Sequence, residues 1–121
     1  MQITRFEPSS ILCNAVVHGN IAYLAGIVAG NPEADVKGQT VQVLDQIDHL
    51  LALCDSHKSR ILTATIWLPN MSDRAAMNEA WNAWLDKENL PARACVEAKL
   101  ASPKYLVEIM VTAASTGQRM I

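Results

Sequence analysis

Residues 91–114 read PARACVEAKLASPKYLVEIMVTAA, and the assignment of this stretch decides the fold. Val96, Leu100, Val107, Ile109 and Val111 supply strand-forming bulk, and Pro103 stops any continuous strand. The pattern predicts a hairpin of two β-strands around a turn at Ala101-Ser102-Pro103-Lys104. Alternation gives the first strand one face of Arg93, Cys95, Glu97 and Lys99 and another of Ala94, Val96, Ala98 and Leu100. In the second strand Tyr105, Val107, Ile109 and Val111 share a face, and Leu106, Glu108, Met110 and Thr112 take the other. Pairing Leu100 with Tyr105 sets Glu108 opposite Glu97, on the side that carries Arg93 and Cys95. Arg93 and Glu97 are about 13 Å apart along such a strand, so this register predicts a gap for a small molecule rather than an Arg93–Glu108 contact. Repulsion between the two carboxyls is expected to favour a protonated one, suited to proton exchange with water.

Outward from this stretch, helical and extended segments alternate. Ser72 or Asp73 is a suitable N-cap for a helix carrying Met77, Ala80, Trp81, Trp84 and Leu85 to about Lys87. Its tryptophans read as core anchors against a sheet, and Asn78 by itself reads as a surface polar residue. From Val36 to Cys54 the apolar residues Val43, Leu44, Ile47, Leu50, Leu51 and Cys54 recur at helical steps, while Gln42, Asp45, Gln46 and His49 fill the other side. Between the helices ILTATIWL, ended by Pro69, is a strand. At the N-terminus Ile3 to Phe6 reads as a short strand. Ile11–Val17 and Ile21–Ala25 flank His18-Gly19-Asn20, a hairpin signal. Gly26, at the end of that strand, allows a bend or a close approach to the backbone.

The expected order is therefore β-β-β-α-β-α-β-β over a single domain, residues 1–121. This is an α+β fold in which two helices cover one face of a largely antiparallel sheet. The uncovered face, expected to hold Met110, Leu106 and Cys95, needs a partner, most simply another copy of the chain.

Composition narrows the function. Half of the 121 residues are hydrophobic, 18% are charged and the net charge is −2, which fits a soluble globular protein. No basic tract favours nucleic acid, and no apolar run is long enough to span a membrane or serve as a signal-peptide core. A cytoplasmic location follows as an expectation. Cys13, Cys54 and Cys95 have no CxxC spacing and fit reduced thiols; Cys13 and Cys54 read as small buried hydrophobes. His18, His49 and His57 offer no metal spacing, and neither a dinucleotide fingerprint nor a Walker motif occurs, so no cofactor is expected.

Several strings in this order resemble one family, the Rid proteins (reactive intermediate deaminases, YjgF-like or UK114-like). The Pro-x-Arg-x-x-Val strand at Pro91–Val96, followed by a Glu in the last strand, is its strongest mark. HGN before Leu24-Ala25-Gly26, the helix GQTVQVLDQIDHLL, ILTATIWLPNMSD and MNEAWNAW support it. The match runs from about Ser10 to Ala114, and MNEAWNAW with KYLVEI is similar to a sister subgroup rather than the archetype.

The resemblance implies a chorismate-mutase-like fold, a homotrimer with ligand clefts between subunits, and cofactor-independent hydrolysis of enamines and imines of the 2-aminoacrylate type. Such an enzyme is a 2-iminobutanoate/2-iminopropanoate deaminase-like hydrolase of C–N bonds, giving a 2-oxo acid and ammonia. It implies Arg93 as the carboxylate anchor, Glu108 as the residue that handles water, and Cys95, Gly26 and Asn78 as residues bordering the ligand. Leu12 and Ala25 stand where many members carry Tyr and Ser or Thr, which removes two hydroxyls from the cleft. A trimer that binds 2-oxo or amino acids, or a protein partner, without turnover is the alternative. Ribonuclease activity, also ascribed to the family, suits this acidic chain poorly.

Overall fold

The computed structural model describes residues 1–116; residues 117–121, the end of the expected domain, lie outside the described residues. The elements follow the expected order: β1 (Ile3–Pro8), β2 (Cys13–His18), β3 (Ile21–Leu24), α1 (Val36–Leu53), β4 (Ile61–Leu68), α2 (Arg74–Trp84), β5 (Ala92–Glu97) and β6 (Glu108–Ala114). Single 3-10 turns at Lys58–Arg60 and Met71–Asp73 lead into β4 and α2. The cap for that second entry is Asn70, whose Oδ1 accepts the Ser72 N–H at 3.0 Å, whereas Asp73 makes no side-chain capping bond. Between β2 and β3 the predicted hairpin is present, with Gly19 at φ 63°, the left-handed region that glycine enters without steric cost.

The six strands form one sheet in the order β1-β2-β3-β6-β4-β5. The 91–114 stretch is therefore not a hairpin, because β4 lies between its two strands. β5 pairs with β4 in parallel, from Thr63↔Ala92 to Leu68↔Glu97, and β6 pairs with β4 antiparallel on the other side. The reason is the connection: α2 joins β4 to β5, and a helical crossover returns the chain parallel to the strand it left. The turn in the linker is real but shifted by one residue, with the Tyr105 N–H donating to the Ser102 carbonyl at 3.1 Å. Burial explains the placement of the two strands. Val107, Ile109, Val111 and Ala113 are fully buried and need neighbours on both sides. The charged Arg93 and Glu97 suit an edge.

Both helices cover one face. Alternate sheet residues such as Ile66, Leu68 and Ile109 meet Leu44, Ile47 and Leu51 of α1 and Met77 of α2 in a single cluster. Each such burial contributes roughly 1.5–3 kcal/mol. On the other face Tyr23, Val96 and Met110 are 47%, 43% and 40% exposed. Leu106 and Cys95, expected there, pack instead against the core. For Cys95 the cause is its register with Ile66, a core side chain.

The side of α1 read as solvent-facing has a second task. Gln46 Nε2 donates to the Val28 carbonyl at 2.9 Å, and Gln42 both accepts from the Asn31 N–H and donates to the Asn31 carbonyl. Gln39, fully buried, donates to the carbonyls of Pro32, Ala34 and Lys104 and accepts the Leu106 N–H at 2.9 Å. The loop after Gly26 and the linker before Glu108 are thus fixed to one helix.

Candidate functional site

Arg93 is in register with Ala64, a buried residue, so its side chain lies on the helix-covered side of the sheet. There α2 presents Asn78 and Trp81, three residues apart and on one face. Arg93 Nη1 donates to Asn78 Oδ1 at 2.8 Å, and the guanidinium carbon lies 5.5 Å from the Trp81 ring centroid. Burial pushes the Arg93 pKa below the ordinary arginine value, with Cys95 opposing the shift and Arg74 adding to it. A guanidinium so placed remains cationic at neutral pH. A groove of about 340 Å³, lined by Asn78, Trp81, Asn82, Leu85, Leu90 and Pro91, opens beside it.

Among the described residues no strand pairs with the outer edge of β5. The Ala98 N–H donates to the Leu68 carbonyl at 3.1 Å. Alternation from that bond turns the backbone groups of Ala94 and Val96 toward β4 and leaves those of Arg93 and Cys95 facing the open edge. A ligand carboxylate or nitrogen at this edge would meet a guanidinium and free backbone groups together.

Glu108 lies elsewhere. It is in register with Trp67, and through Trp67 with Val96, so it stands on the uncovered face, opposite to Arg93. Glu97, in register with Leu68, is also across the sheet from Glu108, and its Oε1 accepts the Met71 N–H at 3.3 Å. The shared face and the repulsion between Glu97 and Glu108 are both corrected: they assumed that β5 and β6 are neighbours, and inserting β4 changes the alignment.

What Glu108 does meet is Gly26. A Cβ added there would overlap Glu108 Oε2 and lie 3.0 Å from the carboxyl carbon, so the missing side chain is the space the carboxylate occupies. Paired backbone bonds between Ile27 and Ile109, at 2.9 and 3.1 Å, hold the two segments together. Ala25 donates to the Asn14 carbonyl at 2.9 Å, and Leu12, 47% exposed, closes the turn before β2 with its carbonyl on the Ser9 N–H. The predicted site residues thus form two groups. Arg93, Cys95 and Asn78 belong to the β5 edge on the covered side, whereas Glu108, Gly26, Ala25 and Leu12 gather where β2 begins and β3 ends.

Sequence reasoning missed two contributions. Trp81, read only as a core anchor, is also the platform under the guanidinium, and its spacing of three from Asn78 was the available signal. The glutamines of α1 carried a similar signal at positions 39, 42 and 46. Among the thiols, all free, Cys54 is pushed up to about 11 by burial, with the Asp55 charge adding to it, and Cys13 is half-buried. Among the described residues no group of three His, Cys, Asp or Glu side chains could hold a metal ion, and no helix is long and apolar enough to cross a membrane.

Six strands in this order with two helices on one face define a small α+β protein of the YjgF type. The chain belongs to the family described as Endoribonuclease L-PSP, whose profile matches residues 2–115, and which includes the RutC and Rid proteins. It is 47% identical over 117 residues to a RutC family protein of Haemophilus influenzae, covering 93% of this chain and 98% of that one. A crystal structure of a YjgF family member from Neisseria meningitidis superposes with a TM-score of 0.93 at 42% identity, covering 98% of both chains. A Rid family protein of unknown function from Yersinia pestis superposes at 0.82 with 29% identity, over 88% of this chain and 90% of that one.

Proposed function

We propose that this protein is a cytosolic, cofactor-independent deaminase that hydrolyses reactive 2-imino acids and their enamine tautomers to 2-oxo acids and ammonia. The observation that carries the reading is the Arg93 guanidinium, half-buried between Asn78 and Trp81 at the open edge of β5. A planar fork in that position suits a bidentate carboxylate. Glu108 of the same chain lies on the other face of the sheet, so the reading takes the water-handling carboxylate from a second copy. The uncovered face with Tyr23 and Met110 supplies a surface for that copy, and a closed trimer is the assembly proposed.

The chemistry needs little beyond positioning. Arg93 holds the substrate carboxylate, and the neighbouring Glu108, in the space left by Gly26, accepts a proton from water. The water oxygen bonds to the imine carbon as the C=N π electrons move to nitrogen. Protonated nitrogen then leaves as ammonia when the C–N bond of the adduct breaks, and the carbonyl of the 2-oxo acid forms. Backbone groups at Cys95 are suited to the developing charge. The family description names an endoribonuclease, but a chain of net charge −2 has little to offer a phosphate backbone.

The test generates imino acids with an amino-acid oxidase and traps them with semicarbazide. Protection from trapping, lost in Arg93→Ala, supports the deaminase. Binding of 2-oxo acids with no protection across many amino acids would replace it with a binding module.

A further inference from the structure

We propose that the groove beside Arg93 is the side-chain pocket of this site and selects imino acids with bulky, uncharged side chains, branched aliphatic or aromatic. The proposal rests on the reading of Arg93 as carboxylate anchor and adds the substrate class.

The groove, of about 340 Å³, lies between α2 and the segment that enters β5. Small-molecule sites begin at roughly 300 Å³ and are mostly apolar with a few polar groups, so this one has the size for a ligand like a single amino acid. Trp81, Leu85, Leu90 and Pro91 form its apolar surface, and the amides of Asn78 and Asn82 and the Arg93 cation are its polar groups. Among the described residues neither an acidic side chain nor a second basic one lines it. It therefore offers a counter-ion to one anionic group, and a second charge pressed against Trp81 would lose water without gaining a partner.

Arg93 and Trp81 line the groove together, so a carboxylate on the guanidinium keeps the rest of the ligand beside the indole. Leu90, 67% exposed, leaves apolar surface there for a ligand to cover. A methyl side chain would leave most of the apolar lining to water, while an isobutyl or benzyl group would cover more of it. One methylene in an apolar pocket is worth a factor of roughly 10–200, so the preference for the larger side chain should reach at least about tenfold.

The experiment compares imines made from alanine, leucine, phenylalanine and glutamate in the trapping assay, with wild type and Leu90→Asp. Binding of pyruvate and 4-methyl-2-oxopentanoate is followed by amide and indole NMR shifts. For wild type, kcat/KM for the leucine- and phenylalanine-derived imines should exceed that for alanine about tenfold, with glutamate slowest. Leu90→Asp, folded by its melting curve, should cut the leucine-to-alanine ratio about tenfold. Equal rates in wild type, or an unchanged ratio in the variant, overturn the pocket. Should no imine be hydrolysed, the deaminase reading fails alone: tighter binding of 4-methyl-2-oxopentanoate, with shifts at Trp81 and Leu90, still supports the pocket, and equal or absent binding overturns it too.

Discussion

The β5 edge and the Gly26–Glu108 corner are both parts of the candidate site, yet they are built differently. At the edge, Arg93 is held by α2 of its own chain through Asn78 and Trp81 and faces the side the helices cover. At the corner, Glu108 is half-buried on the bare face of the sheet, next to a glycine whose missing side chain leaves room for the carboxylate. The first is prepared inside one chain. The second is fixed in backbone and lies on the face that neither helix covers. β4 lies between them and they stand on opposite faces of the sheet, so the proposed chemistry takes them from two copies of the chain.

That conclusion can be broken directly, and the effect is the largest expected here. Arg93→Ala should lower imine hydrolysis by about a thousandfold, in the range expected when an orienting anchor is lost. Glu108→Gln should cost about a hundredfold, the scale of a missing general base. Neither should lower the melting temperature by more than a few degrees. Unfolded together and refolded as a mixture, the two inactive variants should regain a measurable fraction of wild-type turnover, because some clefts would combine an intact Arg93 with an intact Glu108. A mixture as inactive as its components would place both residues in one chain's site or in none.

Next in size is a stability effect from the helix that positions the corner. Gln39→Leu removes one acceptor and the donor shared by three carbonyls in a buried position. Buried polar groups left unpaired cost about 1–3 kcal/mol each, and with some regained by water the loss should be about 3 kcal/mol. Thermal unfolding should show it as a melting temperature lower by roughly 10 °C. A smaller loss than for an exposed control such as Gln2→Leu would mean that the loops are held by something else.

These residues also mark where the sequence could be read and where it could not. Periodicity and turn signals identified the six strands and both α-helices, because burial of one helix stripe or one strand face leaves a local imprint. Strand partnership leaves none: Ser102-Pro103 makes a turn whether or not the flanking strands pair. The clue against the hairpin was the contrast between the charged β5 and the apolar β6, which assigns one to an edge and the other to the interior. Arg93 and Glu108 were legible as candidates only through the family resemblance that their strings carry, a lone acid in an apolar strand being by itself an edge or interface residue. Their relation was not, since it depends on a third strand from elsewhere in the chain. Gln42, polar on a helix, read as solvent-facing until its partner was in place, and Asn78 was singled out only through the family resemblance.

Cys54 probes the covered side through pH. Its thiol is 2% exposed and its pKa rises from the ordinary 9.0 to about 11, so the fold favours the protonated form. A raised folded-state pKa gives stability that is complete below pH 9 and is lost as pH rises through about 11. The loss should approach 2 kcal/mol at the upper end, at about 1.4 kcal/mol per unit and with some relaxation of the site. Denaturant titrations of wild type and Cys54→Ala between those limits should converge as pH increases. Parallel curves would mean that the thiolate is as well accommodated in the folded chain as in the unfolded one.

The smallest expected effect bears on the corner alone. In Gly26→Ala the new methyl would occupy the place of Glu108 Oε2. The obstacle is the free end of a flexible side chain rather than backbone, so the carboxylate swings aside and the fold survives. Turnover should fall about tenfold, the scale of a misaimed but still present base. KM should change little, because the carboxylate anchor at Arg93 lies on the other side of the sheet. The pairing of this variant with Glu108→Gln then sharpens the comparison. If Gly26 acts only by giving Glu108 room, the double variant should be no slower than Glu108→Gln alone, whereas a further tenfold loss would mean that the Gly26 backbone meets the substrate itself.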